Sequence, residues 1–150
     1  MARAQILLVE ARYYEDISDG LAEGAIAALE KAGAAYDRIV VPGALEVPGA
    51  IAMAEDAVQQ GTRSYDGYVA LGCVIRGETS HYDIVAGESA RALMDLTVYD
   101  GVSIGNGILT VENHDKAWAR ADPKGKDKGG DAARAVLRMI ELGQQFAEEE

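Results

Sequence analysis

The chain has few of the residues that build disulfides, metal centres and large aromatic cores. Its 150 residues include one cysteine, two histidines, one tryptophan and one phenylalanine. A single cysteine excludes an internal disulfide, and Cys73 stands inside an apolar run, so we interpret it as a core residue. Together with His81 and His114 it makes too small a set for a convincing metal cluster, so no metal is expected.

Basic residues and long apolar segments are also scarce. Lys and Arg number 14 against 25 Asp and Glu, which gives a formal net charge of −11. Nucleic acids and anionic membranes both bind basic surfaces, so neither is an expected partner. No segment approaches the length of a membrane span and the N-terminus does not read as a signal peptide, so the sequence predicts a soluble, cytoplasmic protein.

Standard cofactor motifs are missing as well. The first apolar run is not followed by G-x-G-x-x-G, and G-x-x-x-x-G-K-[ST] occurs nowhere in the chain. These absences argue against dinucleotide binding and against a P-loop, and no cofactor is expected.

Apolar runs alternate with amphipathic segments along the whole chain. Strands are predicted at residues 5–9, 38–41, 68–75 and 102–111, the last one loosened by Gly105 and Gly107. Helices are predicted at 17–32, 48–60, 81–97, 114–121 and after a turn at 122–130. Strict alternation with continuous apolar strands predicts a single α/β domain over residues 1–150. The expected architecture is a three-layer α/β/α sandwich with a four-stranded parallel sheet, flavodoxin-like.

Unusual residues follow three of the predicted strands. Tyr13 and Tyr14 follow the first, residues 42–46 the second and residues 76–81 the third. Ligands of parallel sheets bind beyond the carboxyl ends of the strands. These three loops are therefore predicted to share one edge of the sheet and to form the binding site.

The segment from Gly72 to Asp83 carries the strongest chemical signal. An apolar run leads through a polar turn to a helix start, with Ser80 and Asp83 at capping-box spacing and His81 in the first turn. The amides of Glu78 and Thr79 would lie at the positive end of the helix dipole, which favours an anion and a neutral, proton-accepting histidine. On this segment alone, a histidine that starts an exposed helix is the simpler explanation.

Further candidates lie in other loops. Arg120 and Lys128 could bind an anionic substrate, because arginine offers a planar fork that matches phosphate. Their neighbours Lys124 and Lys126 are interpreted as parts of a solvated turn. For Glu46 a helix-start carboxylate and a ligand acceptor are both open, and Tyr13 could stack on a planar ring or pack under a loop. His114 is expected to cap a helix or face solvent.

Several motifs, taken in order, resemble the lumazine synthase family. They are residues 11–13 (ARY), 41–48 (VPGALEVP), 72–83 (GCVIRGETSHYD), 105–113 (GNGILTVEN), and Arg120 with residues 128–130 (KGG). The resemblance covers essentially the whole chain, and the segment 72–83 is its most specific part. It implies the condensation of 5-amino-6-(D-ribitylamino)uracil with 3,4-dihydroxy-2-butanone 4-phosphate in riboflavin biosynthesis, without metal or cofactor.

The resemblance also implies a role for each matching residue. His81 matches the proton-transfer residue. Pyrimidine and ribityl binding fall to Tyr13, Ala44, Leu45, Glu46, Cys73, Val74, Ile75 and Asn106. Phosphate binding falls to Glu78, Thr79, Arg120 and Lys128. Tyr14, Leu45, Glu78 and Asn106 depart from the family's commonest residues, but none of them is a reacting group.

The family is built on pentamers, some of which assemble into hollow shells, so a homo-oligomer is the implied state. Each site is then shared, with Tyr13, Glu46 and His81 from one subunit and Asn106, Arg120 and Lys128 from the next. Two alternatives on this fold are a non-catalytic shell or flavin-binding protein and a related riboflavin synthase. The first predicts loss of His81 or Arg120, and the second needs no phosphate site, so the residues present favour the synthase.

Overall fold

The computed structural model describes residues 3–148 and is built around one parallel sheet. Its strands are β1 (Gln5–Ala11), β2 (Ala35–Val41), β3 (Gly67–Ile75) and β4 (Ile104–Val111), in the order β2-β1-β3-β4. The helices are α1 (Glu15–Lys31), α2 (Val47–Gln59), α3 (His81–Tyr99), α4 (His114–Ala121) and α5 (Lys128–Ala147), and a 3₁₀ helix (Ala44–Glu46) precedes α2. All three strand pairs are parallel, which confirms the predicted flavodoxin-like α/β fold.

Helices cover the sheet on both faces. Ile6 and Leu8 of β1 pack into one apolar cluster with residues of α1, α4 and α5. Leu7 and Val9 of β1 pack into a second cluster with residues of α2 and α3. The alternation follows from the period of two along a strand, and each fully buried Leu or Ile contributes about 1.5–3 kcal/mol. The element α3, which begins at His81, therefore lies on the opposite face from α4 and α5.

The outer strands are less apolar than the inner ones. β3 is buried almost along its full length, as its apolar run predicts. β2 begins at Ala35, three residues before the predicted start, because its edge position leaves Asp37 and Arg38 exposed and so hides the strand pattern. Within residues 3–148, no helix combines the length and apolarity that a membrane crossing requires.

The last helix begins earlier than its sequence pattern indicates. The sequence predicts a turn through residue 130, but α5 starts at Lys128 because Asp127 caps it. The Asp127 carboxylate accepts a hydrogen bond from the Gly130 amide at 3.2 Å. Asp127 takes a left-handed backbone conformation (φ 49°), which asparagine and aspartate tolerate better than most residues. Lys128 consequently occupies the first turn of a helix.

Close packing explains two glycines at this helix start. A Cβ on Gly105 of β4 would stand 1.9 Å from the Ala132 carbonyl oxygen, and one on Gly129 would stand 2.0 Å from that of Leu21. The prediction that Gly105 loosens β4 is therefore incomplete, because its missing side chain allows α5 to approach the strand.

The start of α3 is predicted correctly, but its cap is not. Ser80 has a helical backbone conformation and its hydroxyl makes no capping hydrogen bond, so the capping box with Asp83 is not formed. An N-cap residue normally needs an extended backbone to turn its oxygen toward the helix amides. Instead the Thr79 hydroxyl accepts a hydrogen bond from the His81 amide at 3.3 Å.

Candidate active site

Three loops at the carboxyl ends of β1, β2 and β3 surround a cleft of about 310 Å³. We call it the strand-end cleft, and its lining consists of Tyr13, Tyr14, Pro42, Gly43, Ala44, Cys73, Val74, Ile75, His81 and Val85. The parallel sheet places these loops at one edge, as the sequence predicts. Six of the residues expected at the site therefore meet in one place: Tyr13, Ala44, Cys73, Val74, Ile75 and His81.

The loop after β1 presents two tyrosines in different environments. Tyr13 is 79% exposed and meets Tyr14 edge to face, with ring centroids 4.9 Å apart. Tyr14 packs against the core cluster on the α1 face, and this burial raises the pKa of its hydroxyl above the ordinary value. Tyr14 thus supports the loop, and Tyr13 is free to present its ring to a ligand.

The loop after β2 forms the second wall of the cleft. Pro42 and Gly43 end the strand, and the chain then turns through the 3₁₀ helix into α2. Ala44 is buried against Val74 and Val85, whereas Leu45 and Glu46 are exposed. Leu45 and Glu46 do not line the strand-end cleft of a single chain but stand beside it on the same short turn.

The end of β3 forms the floor of the strand-end cleft. Cys73, Val74 and Ile75 pair with residues 109–111 of β4, which fixes their backbone. Cys73 is half-buried, and this burial raises the pKa of its thiol to about 11. The thiol is therefore protonated at neutral pH, and what this stretch offers a ligand is shape and backbone polar groups.

The turn between β3 and α3 is exposed and has unpaired amides. Glu78, Thr79 and His81 are all exposed, and within residues 3–148 the Glu78 and Thr79 amides donate to no acceptor. Free amides at the start of a 19-residue helix favour an anion through both hydrogen bonding and the helix dipole. The His81 ring lines the strand-end cleft next to this turn, so a proton donor or acceptor and an anion-binding group are adjacent.

Arg76 connects this turn to the end of β4. Its guanidinium lies 3.0 Å from a carboxylate oxygen of Glu112 and 3.6 Å from Asp83, and it stands over the Tyr82 ring at 4.3 Å from the centroid. Such exposed pairs are individually weak. Together with the cation–π contact they restrain the turn that carries Glu78 and Thr79.

A second cleft of about 400 Å³ runs along the edge strand β4. We call it the basic cleft, and its lining consists of Asn106, Gly107, Ile108, Leu109, Thr110, Arg120, Lys128, Asp131, Ala132 and Ala135. Arg120 donates to the Lys116 carbonyl at 3.1 Å, and no carboxylate among residues 3–148 lies within salt-bridge distance of it. Lys128 lies 3.6 Å from Asp131. Arg120 can therefore give its guanidinium to an external anion.

The two clefts share no lining residue. His81 starts α3 on one face of the sheet, whereas Arg120 belongs to α4 and Lys128 to α5 on the other. The expected site residues therefore fall into two groups on a single chain. Asn106, Arg120 and Lys128 are brought together with one another and not with Tyr13 and His81.

The sequence does not predict one buried charge beside the strand-end cleft, the carboxylate of Glu10. Glu10 of β1 is 2% exposed and its carboxylate accepts hydrogen bonds from Arg12 and Arg38. The strand predicted at residues 5–9 ends before Glu10, whereas β1 continues to Ala11, so the sequence pattern leaves this charge outside the strand. Its partner Arg38 stands 28 residues further along the chain, so no local pattern pairs the two.

Comparison with known proteins gives a consistent result. Residues 3–144 match the model of the family described as 6,7-dimethyl-8-ribityllumazine synthase. A protein of that name from Agrobacterium fabrum is 63% identical over 142 residues, which cover 95% of this chain and 96% of the relative. The 6,7-dimethyl-8-ribityllumazine synthase 1 of Rhizobium meliloti is 62% identical, covering 96% and 94%. A synthase of the same name from Bartonella tribocorum is 61% identical, covering 97% and 94%.

Proposed function

The chain belongs to the 6,7-dimethyl-8-ribityllumazine synthase family, and on that basis we propose that it condenses 5-amino-6-(D-ribitylamino)uracil with 3,4-dihydroxy-2-butanone 4-phosphate. The product is 6,7-dimethyl-8-ribityllumazine, an intermediate of riboflavin biosynthesis, and phosphate and water are released. The observation that carries this proposal is the strand-end cleft, which brings Tyr13, the end of β3 and His81 together. We also propose that one domain does this chemistry, without metal or cofactor and in the cytoplasm.

The strand-end cleft suits the pyrimidine. Tyr13 has an exposed ring that can stack on the flat heterocycle, and the backbone of Cys73, Val74 and Ile75 offers edge-on polar groups beneath it. Ala44 of the 3₁₀ helix forms the side wall with Leu45 beside the cleft, and the Glu46 carboxylate can accept hydrogen bonds from ribityl hydroxyls. Asn106 belongs to the basic cleft and reaches this substrate from the neighbouring chain.

The chemistry requires proton transfers and little else. The amine of the pyrimidine adds to the ketone, and the carbinolamine loses water to give an imine. Loss of a proton from the adjacent carbon expels phosphate, and attack of the ribitylamino nitrogen on the resulting carbonyl closes the ring with loss of a second water. His81 moves these protons, and holding the two reactants together supplies much of the acceleration.

Phosphate is bound between two groups of donors. Glu78 and Thr79 supply backbone amides at the start of α3, and Arg120 and Lys128 supply the charges. The Glu78 side chain must point away from the phosphate, which its exposed position permits. These donors stabilise the charge that develops on the departing phosphate.

We propose that the site is completed by a second copy of the chain in a cyclic pentamer. Three observations support it: His81 and Arg120 lie on elements of opposite sheet faces, the clefts share no lining residue, and large apolar side chains are exposed. The exposed apolar residues include Val40, Met53, Ile84, Met94, Val98, Tyr99 and Phe146, each more than half accessible. A head-to-tail contact closes a ring by repeating the meeting of one chain's strand-end cleft with its neighbour's basic cleft.

The reaction is tested by incubating the purified protein with both substrates and following lumazine fluorescence. The expected result is fluorescence that appears only when both substrates are present. One phosphate should be released for each lumazine formed. Binding of a flavin or lumazine without turnover would contradict the proposal and favour a non-catalytic binding protein. Conversion of lumazine to riboflavin would indicate a riboflavin synthase.

The shared site is tested by mixing two variants that are nearly inactive when the phosphate substrate is kept well below its KM. His81→Ala and Arg120→Ala chains are denatured, combined in equal amounts and refolded, and each variant refolded alone is the control. Random assembly in a ring leaves about one interface in four with both residues intact, so we expect about a quarter of the wild-type activity. A mixture as inactive as its components, together with a monomeric mass by light scattering, contradicts the shared site.

A further inference from the structure

Glu10 is the one charged side chain, within residues 3–148, that is almost completely buried (2% exposed). It stands at the carboxyl end of β1, one residue before the last strand residue Ala11. By the alternation of the strand it shares the face of Ile6 and Leu8, which α1 covers. A carboxylate is costly to bury unless its oxygens are fully paired, so its presence here calls for a reason.

Both oxygens of Glu10 are paired with arginines. Arg38 of β2 binds it through two nitrogens, at 2.7 Å and 3.0 Å, and Arg12 donates to it at 2.8 Å. Arg12 also pairs with Asp19 of α1. The carboxylate therefore holds together the end of β1, the neighbouring strand β2 and, through Arg12, the first turns of α1.

Stability alone does not account for this arrangement. A buried ion pair is often no better for stability than apolar residues of the same volume, because removing the charges from water is costly. Arg12 directly precedes Tyr13, in the short connection between Ala11 and the start of α1. Tyr13 itself is 79% exposed, and its ring makes an aromatic contact with that of Tyr14. The placement of the Tyr13 ring thus depends on how firmly its neighbours are anchored.

We propose that Glu10 is a positioning residue for the pyrimidine substrate, which it serves by fixing Arg12 and thereby the connection that presents Tyr13. This inference rests on the proposed function, because that function puts the pyrimidine on Tyr13. Glu10 touches neither substrate. Its contribution is to restrict Tyr13 before binding, so that less conformational freedom is lost when the ring is stacked.

The first test is Glu10→Gln, which keeps the volume and removes the charge that holds both arginines. The expected result is a KM for the pyrimidine raised by roughly 3- to 10-fold, with kcat and the KM of the phosphate substrate unchanged. The increase cannot exceed that of Tyr13→Ala, which removes the stacked ring altogether. The matched control is Glu30→Gln, an exposed glutamate that also binds a side chain of β2, the Tyr36 hydroxyl at 3.1 Å. This control should leave all three constants unchanged.

The second test separates positioning from general damage. In a Tyr13→Ala background, Glu10→Gln should have little further effect on the pyrimidine KM, because the ring that it positions is gone. An equal increase in both backgrounds, or a loss of kcat, means that Glu10 acts on the structure at large and overturns the proposal. If Glu10→Gln does not fold, Arg12→Gln breaks the same link at a partly exposed residue and should reproduce the KM signature. Failure of both variants to fold assigns the network a structural role and also overturns the proposal.

The activity of the wild-type protein in the same assay distinguishes the proposed function from the proposed role of Glu10. If it makes no lumazine, the proposed function is wrong, and the positioning of a pyrimidine on Tyr13 falls with it. If it makes lumazine and Glu10→Gln matches the wild type in every constant, the proposed function stands and the role of Glu10 is wrong.

Discussion

The strand-end cleft and the basic cleft differ in composition and in what holds them in shape. The strand-end cleft is lined by apolar groups, two tyrosines and His81, and three loops at the carboxyl ends of β1, β2 and β3 form it. The basic cleft is lined by Arg120 and Lys128, and lies along the edge strand β4, where α5 approaches closely because Gly105 has no side chain. The first suits a flat heterocycle and a proton transfer, and the second suits a phosphate.

Under the proposed function, this separation of the two clefts makes a single chain an incomplete catalyst. A condensation of a pyrimidine with a phosphate ester needs both environments within one substrate length, and the chain places His81 and Arg120 on elements of opposite sheet faces. In the proposed ring a neighbouring copy solves this problem without any change of fold, since each chain offers its strand-end cleft to one neighbour and its basic cleft to the other. The comparison therefore predicts that substitutions in the two clefts have different kinetic signatures.

The largest effect is expected in the strand-end cleft at His81. His81→Ala should lower kcat by about 10²-fold, because it removes the proposed general acid–base while substrate positioning is retained. Both KM values should change little, as measured by the rate of lumazine formation. The matched control is His114→Ala, which removes the other histidine of the chain, paired with Asp16 on the surface at 2.7 Å. If His81→Ala fails to fold while His114→Ala folds, His81 is a structural element of the helix start.

The next effect is expected in the basic cleft at Arg120. Arg120→Ala should weaken the phosphate substrate by about 1.5–3 kcal/mol, the range for a lost hydrogen bond to a charged group, which corresponds to a roughly 10- to 150-fold increase in its KM. Pyrimidine binding should be nearly unchanged. Lys124→Ala, in the exposed turn after α4, is the control and should have no effect. Equal weakening of both substrates would make Arg120 structural and leave Lys128 as the charge that binds phosphate.

The sequence predicts the two clefts unequally well. The strand-end cleft follows from local patterns, because the apolar run of β3 and the start of α3 at His81 are visible within a few residues of each other. Parallel strands then gather the loops at one edge without further information. The basic cleft depends on contacts between distant segments, such as Gly129 against the Leu21 carbonyl, and on the left-handed cap at Asp127. Sequence spacing does not reveal such contacts, so the predicted start of α5 is later than the observed one at Lys128.

Local sequence patterns also do not predict which charged residues pair with each other. Glu10 directly follows the strand predicted at residues 5–9 and its partner Arg38 lies on another strand, so only the parallel pairing of β1 with β2 brings them together. The capping box at Ser80 is the opposite case, a contact that the sequence predicts and the structure does not form. Its spacing is correct, but the backbone of Ser80 is helical, so its hydroxyl is not used. Residue types and spacing indicate which bonds are possible, and the tertiary fold selects among them.

A smaller effect is expected at Tyr13 and sharpens the comparison within the strand-end cleft. Tyr13→Ala should raise the pyrimidine KM by roughly 3- to 10-fold, because a stacked aromatic pair contributes about 0.5–1.5 kcal/mol beyond its buried area. Tyr13→Phe keeps the ring and should bind as the wild type does. Tyr14→Ala should instead lower the resistance to denaturation, because Tyr14 packs against the core. If Tyr13→Ala raises the KM of the phosphate substrate instead, the assignment of this cleft to the pyrimidine is wrong.

The smallest effect on activity is expected at Cys73, although it lies in the floor of the same cleft. Burial raises the pKa of its thiol to about 11, so at neutral pH the thiol is protonated and a poor nucleophile. Cys73→Ala should therefore change kcat by less than about twofold, since the proposed binding of the pyrimidine uses the backbone of this residue and not its sulfur. A raised pKa also means that the thiolate forms only at higher pH. The rate of alkylation by iodoacetamide should keep rising between pH 9 and about pH 11, whereas that of free cysteine levels off above its pKa of about 8.5. An alkylation midpoint near that of free cysteine, together with a large loss of kcat in Cys73→Ala, would show that the sulfur takes part in the reaction and that His81 is not its only proton-transfer group.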